Sequence, residues 1–270
     1  MKVTLITGAS SGIGEAFARR LAAEKHDLVL VARSEKKLHE LCDELMLQYK
    51  ITAHYVTVDL TAADADQRLF DETEKHGFEI DWLINNAGFG SYGDFSNLDL
   101  DHESRMIDLN IRSLTAITHR YLQGMRTRKS GTIINVSSAA GFQPIPFMAT
   151  YAATKAFVNS FSEAIAEENR LFGIHVMALC PGSTKTNFHA AAKMDRVIQV
   201  KGRQTAEEVV ETALRGVKSG RTRIVSGFVN DLVSRLVTFV PNAVITRVMA
   251  KGLRSMYQGN GNADDDRVSN

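Results

Sequence analysis

Short apolar runs alternate with longer amphipathic stretches along most of this chain. The apolar runs predict buried strands at residues 2–7, 28–32, 52–58, 82–85, 131–136, 175–179 and 222–225. Apolar residues spaced three and four positions apart predict helices at residues 13–21, 35–49, 64–76, 100–125 and 151–171. Strands that alternate with helices of this length favour an α/β fold, a single-domain doubly wound parallel sheet of about seven strands with helices on both faces, of the Rossmann-like type.

The length of 270 residues fits one such domain. We expect a dinucleotide-binding and catalytic unit over residues 1–227, a C-terminal helical extension of the same domain over 228–258 and a disordered tail over 259–270. The 32 basic and 31 acidic residues nearly cancel, and no basic run is interleaved with aromatic residues. This charge pattern argues against nucleic acid as a partner.

Three features of the sequence predict a cytoplasmic protein. The chain enters its first predicted strand directly after Met1, which leaves no room for a signal peptide, and it has no apolar run of about 18 residues that could form a transmembrane segment. Cys42 and Cys180 lie far apart without metal-ligand spacing, so we expect reduced packing residues. The eight histidines also lack paired ligand spacing, and no metal site is predicted.

A glycine-rich turn, TGASSGIG at residues 7–14, joins the first predicted strand to the first helix. Such a turn allows a dinucleotide pyrophosphate to lie on bare backbone N–H groups at the positive end of a helix. The spacing GxxxGxG departs from the GxGxxG fingerprint, so a plain glycine-rich turn is the alternative interpretation. The residues expected to bind the cofactor here are Gly8, Ser10, Ser11, Gly12, Ile13 and Gly14, and either serine could cap the helix.

The end of the second strand indicates which dinucleotide is bound. A carboxylate at this position bonds the ribose 2′-hydroxyl of NAD, whereas Ala32 occupies it here and Arg33 follows. The Arg33 guanidinium, aided by Ser34, suits a 2′-phosphate, which favours NADP(H); a surface arginine is the alternative. Asp59, which precedes Leu60 after the third strand, is placed to reach the adenine amine or to cap a helix.

A second constellation carries acid–base chemistry. Tyr151 and Lys155 are four residues apart on a predicted helix and share one face, and Ser138 follows a strand thirteen residues upstream of Tyr151. A nearby ammonium is expected to lower the pKa of Tyr151, which would then give or take the proton while Ser138 donates to a substrate carbonyl. A YxxxK pair alone also occurs by chance, so its weight depends on the glycine turn and the serine.

Together these motifs resemble the classical short-chain dehydrogenases/reductases from residue 2 to about residue 225. The resemblance is carried by TGASSGIG (7–14), NNAG (85–88), Asn110 in DLNI, SSAAG (137–141), YAATK (151–155) and PGSTKT (181–186). It implies that Ser138, Tyr151 and Lys155 are catalytic and that Asn110 holds a water in a proton relay. It also implies cofactor contacts from Tyr151 and Lys155, from Asn86, Ala87 and Gly88, and from Pro181, Gly182, Thr184 and Thr186, in an enzyme of the NADP type.

Past the motifs of that family, the chain continues in two apolar helical segments divided at Pro241. In the second segment the cations Arg247, Lys251 and Arg254 form one stripe, and the opposite stripe is apolar, with Ile245, Met249, Leu253 and Met256. Three interpretations remain open. The helices pack on the chain's own core or on a second subunit, or they form a lid over an apolar substrate with loop 187–203 as the other jaw, or they lie on anionic lipid.

The sequence therefore predicts an NADP(H)-dependent oxidoreductase that interconverts a carbonyl and a secondary alcohol on a small, apolar substrate. One alternative is a 3-ketoacyl or lipid ketone reductase acting at a membrane surface. The other is a catalytically silent dinucleotide-binding sensor or scaffold. The complete set of four predicted catalytic residues argues against this alternative. The helix at 151–171 carries apolar residues on more than one side, so we expect a homodimer or homotetramer.

Overall fold

The protein is a doubly wound α/β fold around one parallel sheet. The computed structural model describes residues 1–186 and 203–265, with side chains in the last helix as far as Arg254. Its seven strands run in the spatial order β3-β2-β1-β4-β5-β6-β7, and every neighbouring pair is parallel. They are β1 (Lys2–Thr7), β2 (Leu28–Ala32), β3 (Ala53–Thr57), β4 (Glu79–Asn85), β5 (Gly131–Val136), β6 (Ile174–Cys180) and β7 (Arg223–Val225).

Helices cover both faces of this sheet. They are α1 (Gly12–Ala23), α2 (Glu35–Tyr49), α3 (Ala65–Lys75), α4 (Leu100–Ile107), α5 (Leu114–Arg128), α6 (Ala149–Arg170), α7 (Ala206–Lys218), α8 (Phe228–Val237) and α9 (Asn242–Asp265). The predicted fold class and all seven predicted strands are confirmed, with ends that differ by up to three residues.

The central strands are largely apolar because helices cover both faces of the sheet. Every residue of β2 is buried, and its side chains alternate between two cores. Leu28 and Leu30 pack in the cluster that includes α1 and α2, whereas Val29 and Val31 pack in the cluster that includes α3 and α5. The alternation is the period of two that a strand imposes on its side chains.

The helix predicted at 100–125 is interrupted in the middle. A π-helical segment at Asp108–Ser113 separates α4 from α5. A π turn contains one more residue than an α turn, so it rotates the side chains beyond it relative to a regular helix. Asn110 lies in this segment and is buried. Hydrophobic spacing does not reveal such a local insertion.

The helix α7 is absent from the sequence prediction. A capping box starts it, in which the Thr205 hydroxyl accepts from the Glu208 amide and the Glu208 carboxylate accepts from the Thr205 amide. Val209, Val210 and Ala213 are fully buried against the sheet. Both the capping box and the apolar spacing are visible in the sequence and would have predicted this helix.

The C-terminal segments form two helices on either side of Pro241, as predicted. The backbone of α9 remains helical as far as Asp265, into the stretch that the sequence predicted as a disordered tail. Within the described residues, none of the helices is both long and apolar enough to cross a membrane.

Candidate active site

A cleft of about 820 Å³ opens beyond the carboxyl ends of the strands. This edge of a doubly wound sheet is where ligands bind. The predicted site residues that line the cleft are Gly8, Ser10, Ser11, Gly12, Ile13, Arg33, Ser34, Asp59, Leu60, Asn86, Ala87, Gly88, Ser138, Tyr151, Lys155, Pro181, Gly182, Thr184 and Thr186. Of the predicted set, Gly14 and Asn110 lie behind the cleft surface instead.

The glycine turn brings bare backbone to the cleft. Gly12 has φ +60°, a conformation that L side chains rarely adopt, and a Cβ on Gly14 would lie 2.4 Å from the carbonyl oxygen of Gly8. Ser11 occupies the N-cap position of α1, but its hydroxyl makes no capping bond. Because Gly12 and Ile13 line the cleft, the uncapped first turn of α1 fits the phosphates of a dinucleotide.

Asn86 fastens the end of β4 to this turn. Its Nδ2 donates to the Thr7 carbonyl at 2.9 Å and to the Gly8 carbonyl at 3.2 Å. The Thr7 hydroxyl accepts from the backbone amides of Asn86 at 2.9 Å and Ala87 at 3.0 Å. These hydrogen bonds join the ends of β1 and β4 and therefore fix the position of the backbone at the floor of the cleft.

The polar residues after β2 and β3 meet at one end of the cleft. Ala32 is buried, Arg33 is exposed, and both line the cleft with Asp59. Burial raises the pKa of Asp59, but hydrogen bonds from Thr61 and the cations Arg33 and Arg105 outweigh it, so the carboxyl pKa lies below its ordinary value. Asp59 accepts from the Thr61 amide at 3.0 Å and does not cap α3, whose N-cap is Asp64.

The three predicted catalytic side chains lie together at the centre of the cleft. Tyr151 and Lys155 are 7% and 5% exposed on α6, and the Ser138 hydroxyl hydrogen-bonds Tyr151. The Lys155 Nζ donates to the Val136 carbonyl at 2.9 Å. The neighbouring Ser137 hydroxyl donates to the Lys155 carbonyl at 2.9 Å, which fixes the strand end to the helix.

The expected lowering of the Tyr151 pKa by Lys155 is wrong for this structure. Burial raises the pKa of Tyr151 to about 12, and the bond with Ser138 offsets only part of this rise. Burial also lowers the pKa of Lys155 to about 8, an effect that the nearby Cys180 opposes. Removing water penalises the phenolate and the ammonium alike, so the charged form of each is disfavoured.

Asn110 lies directly behind this cluster. Its Nδ2 donates to the Phe89 carbonyl at 3.0 Å and to the Thr154 hydroxyl at 3.1 Å, while its Oδ1 accepts from the Phe89 amide at 3.3 Å. A Cβ on Gly88 would lie 2.9 Å from Asn110 Oδ1 and 3.5 Å from Lys155 Nζ. The Asn110 side chain therefore ties the loop after β4 to α6. The part of Asn110 in a proton relay stays a prediction.

A buried polar ladder that the sequence analysis missed also positions α6. Asn85 Nδ2 donates to the Asn135 Oδ1 and to the Thr118 hydroxyl, each at 2.9 Å. Asn135 Nδ2 donates in turn to the Ser162 hydroxyl at 2.9 Å. The signal for this ladder was an asparagine in each of two otherwise apolar strands.

The remaining cleft wall is largely apolar and was also missed. Phe89, Leu109, Ala140, Ile145 and Met148 line it beside Tyr151. An apolar run between β5 and α6, in a stretch predicted as loop, is the sequence signal for Ile145 and Met148.

The C-terminal helices complete the cleft. Val233 and Ser234 from α8 and Met249 from α9 line it, and the Tyr92 hydroxyl donates to the Leu253 carbonyl at 3.1 Å. Ile245 and Met249 of the apolar stripe of α9 thus face inward, with Ile245 buried, as expected both for core packing and for a lid. Most of the loop predicted as the opposite jaw lies outside the described residues. Its two ends are joined, because Lys185 donates its amide to the Gln204 carbonyl at 2.8 Å.

Comparisons with known proteins identify the family of this chain. The family model of the short chain dehydrogenases matches residues 2–197. The very-long-chain 3-oxoacyl-CoA reductase of Mus musculus is 30% identical over 260 residues, which cover 94% of this chain and 81% of that protein.

Two solved structures share the fold. A short-chain dehydrogenase from Sphingobium yanoikuyae in complex with NADPH has a TM-score of 0.79 at 30% identity, covering 90% of this chain and 98% of that chain. The bulky-bulky ketone specific alcohol dehydrogenase from Comamonas testosteroni has a TM-score of 0.75 at 28% identity, covering 90% and 96%. The chain therefore belongs to the short-chain dehydrogenase/reductase family, whose oxidoreductases use a nicotinamide dinucleotide to interconvert a carbonyl and an alcohol.

Proposed function

We propose that this enzyme is an NADPH-dependent reductase of apolar ketones, and that 3-oxoacyl thioesters are its substrate class. The observation that carries the proposal is the apolar wall around Tyr151, formed by Phe89, Leu109, Ile145 and Met148. An apolar chain buried against this wall gains about 0.8 kcal/mol for each methylene removed from water. The polar groups at the reacting end are few, as is usual for a site that orients an apolar ligand.

The cluster fits proton donation to a carbonyl oxygen. When bound, the nicotinamide supplies the hydride. With a pKa of about 12, the Tyr151 hydroxyl is protonated at neutral pH and can give its proton to the substrate oxygen. Ser138, already hydrogen-bonded to Tyr151, orients the same oxygen. Lys155 Nζ, with a pKa of about 8, can hold or release a proton beside Tyr151 near neutral pH.

The phosphate-binding end supports NADPH as the preferred dinucleotide. The pyrophosphate suits the uncapped turn at Gly12 and Ile13. Ala32 places no carboxylate where a 2′-phosphate would lie, and Arg33 and Ser34 border that position. The solved relative from Sphingobium yanoikuyae was obtained in complex with NADPH, which supports the same choice.

The acyl substrate class is supported by the mouse relative, whose name states 3-oxoacyl-CoA reduction and which matches 94% of this chain. A second candidate is a ketone with two bulky substituents, the class in the name of the Comamonas testosteroni enzyme. The two candidates differ in how the rate depends on chain length. An acyl site gains transition-state binding with each added methylene, whereas a bulky-ketone site responds to the size of both substituents.

Disappearance of NADPH with a series of 3-oxoacyl-CoA esters tests the proposal, with a series of ketones that carry two bulky substituents run in parallel. We expect kcat/KM to rise with acyl length until the cleft is filled, and Ile145→Asn to reduce the rate on long esters more than on short ones. Turnover of the bulky ketones alone would support the second candidate. The absence of NADPH consumption with either series would overturn both.

The subunit assembles at least as a homodimer through the outer surface of α6. Phe157 is exposed there and stacks on Phe161 with ring centroids 5.6 Å apart, at the margin of the helix face that buries Val158 and Ile165. A two-fold pairing would bury this surface, and further pairing would give a tetramer. Light scattering at micromolar concentration tests the assembly, and a strictly monomeric mass would contradict it.

A cytoplasmic location fits the two buried free cysteines.

A further inference from the structure

The outer surface of α8 and α9 is apolar and exposed. It consists of Phe228, Val229, Leu232, Leu236, Phe239, Val240, Val244 and Val248. Phe228 is 83% exposed and Phe239 is 86% exposed. At about 100° per residue, the four residues on α8 fall within an arc of about 100°. Several exposed apolar side chains gathered on one face of a helix mark an interaction site.

This surface is separate from the faces that the fold itself buries. Ser234 on α8 and Ile245 on α9 are buried, and Ser234 and Met249 line the cleft. The two helices therefore have an inner face toward the active site and an outer face toward solvent. Val233 both lines the cleft and remains 45% exposed, so the outer surface is continuous with the cleft wall.

Cations border this outer surface. Arg247 and Lys251 are exposed on α9 beside Val244 and Val248. Arg235 on α8 pairs with Asp231 at 2.8 Å, and Asp231 is the one carboxylate in residues 228–254. The segment carries a positive excess although the whole chain is nearly neutral. Apolar side chains flanked by cations are the composition of helices that lie in the interface of an anionic bilayer.

We propose that α8 and α9 dock on the surface of an anionic lipid bilayer, with the outer apolar residues in the headgroup region and Arg247 and Lys251 against lipid phosphates. The apolar substrate then passes from the bilayer past Val233 into the cleft. This passage rests on the proposed function, whereas the docking itself does not. Within the described residues no helix is suited to span the membrane, so the contact is peripheral.

A second copy of the chain suits this surface less well. A two-fold interface brings the same patch of both subunits together. The positive excess of this segment would then be present twice in one interface, and an excess of like charge in an interface is unfavourable. Anionic headgroups complement both the apolar and the cationic part of the surface.

Co-sedimentation of the full chain with vesicles tests the docking without substrate or cofactor. Wild type should pellet with vesicles of phosphatidylcholine and phosphatidylglycerol, and less with phosphatidylcholine alone. The variant F228S/L236S/F239S should bind at least about tenfold more weakly, because three large apolar side chains no longer enter the interface. R247Q/K251Q should lose binding only to the anionic vesicles.

A matched control removes an equally exposed leucine elsewhere. Leu47 on α2 is 74% exposed, and L47S should bind vesicles like the wild type. NADPH turnover of a short, water-soluble ketone should be unchanged in F228S/L236S/F239S, which shows that the variant is folded. Wild type that stays in solution with anionic vesicles, or equal pelleting of F228S/L236S/F239S, would overturn the proposal. If that variant instead lowers the mass in light scattering, the surface is an interface between copies and the lipid proposal is wrong.

Discussion

The Lys155 ammonium lies 5.8 Å from the centre of the Tyr151 ring, one turn further along α6. Both side chains are buried, and Lys155 Nζ donates to the Val136 carbonyl at 2.9 Å. Burial holds the pKa of Tyr151 near 12 and that of Lys155 near 8. The pair thus combines a protonated phenol with an amine that titrates close to neutral pH.

The pKa of Lys155 predicts a pH-dependent difference in stability between the wild type and K155M. Because the folded pKa of about 8 lies below the ordinary value of 10.5, the unfolded chain binds more protons than the folded chain between these values. The free energy of unfolding of the wild type should therefore rise relative to K155M as the pH rises through this window, by up to about 1.4 kcal/mol per pH unit. Urea unfolding of both proteins at several pH values measures this gain. A difference that does not change with pH would show that Lys155 is not desolvated in the folded state.

Arg33→Ala should weaken NADPH binding by about 1.5–3 kcal/mol and leave NADH binding nearly unchanged, because only NADPH carries the 2′-phosphate. Fluorescence titration with both dinucleotides measures the two changes. Lys36→Ala is the matched control, since Lys36 is an exposed cation on α2 that forms no part of the cleft lining. Equal losses for NADPH and NADH in R33A would contradict the assignment of Arg33.

Much of this architecture could be predicted because it depends on local patterns. Each strand is an apolar run, and the glycines of the first turn are required by backbone geometry that a Cβ at Gly14 would violate. Tyr151 and Lys155 could be placed together because helical spacing alone puts them on one face. Such features need no knowledge of the tertiary structure.

Other features depend on packing that the sequence does not state. The predicted direction of the Tyr151 pKa shift is wrong because helical spacing shows that Lys155 is near, but it does not show that both groups are buried away from water. The π segment around Asn110 is one inserted residue in an otherwise regular helical pattern. The inward face of α8, which places Val233 and Ser234 in the cleft wall, depends on how this helix packs on the rest of the chain.

Gly14→Ala should destabilise the fold and weaken dinucleotide binding. The added Cβ would lie 2.4 Å from the Gly8 carbonyl oxygen, so the backbone of the phosphate turn must shift, at a cost of about 1–3 kcal/mol. Urea unfolding with and without NADPH measures both effects. In Gly252→Ala the Cβ meets no atom within 4 Å outside its own helix, so this control should be neutral or more stable by up to about 1 kcal/mol. A G14A protein as stable as G252A would contradict the close approach at the turn.

Replacing Tyr151 by Phe tests the central claim, that this tyrosine gives its proton to a ketone oxygen. The matched control is Tyr121→Phe, which removes the hydroxyl of another buried tyrosine, one that is hydrogen-bonded to Thr73 and lies outside the cleft lining. The decisive measurement is NADPH consumption with a 3-oxoacyl-CoA ester by wild type, Y151F and Y121F, alongside the Kd of each for NADPH. We predict that Y151F loses about 10²–10⁴-fold in kcat while its Kd for NADPH stays near that of the wild type, and that Y121F turns over normally. Turnover by Y151F at the wild-type rate would show that another group moves the proton.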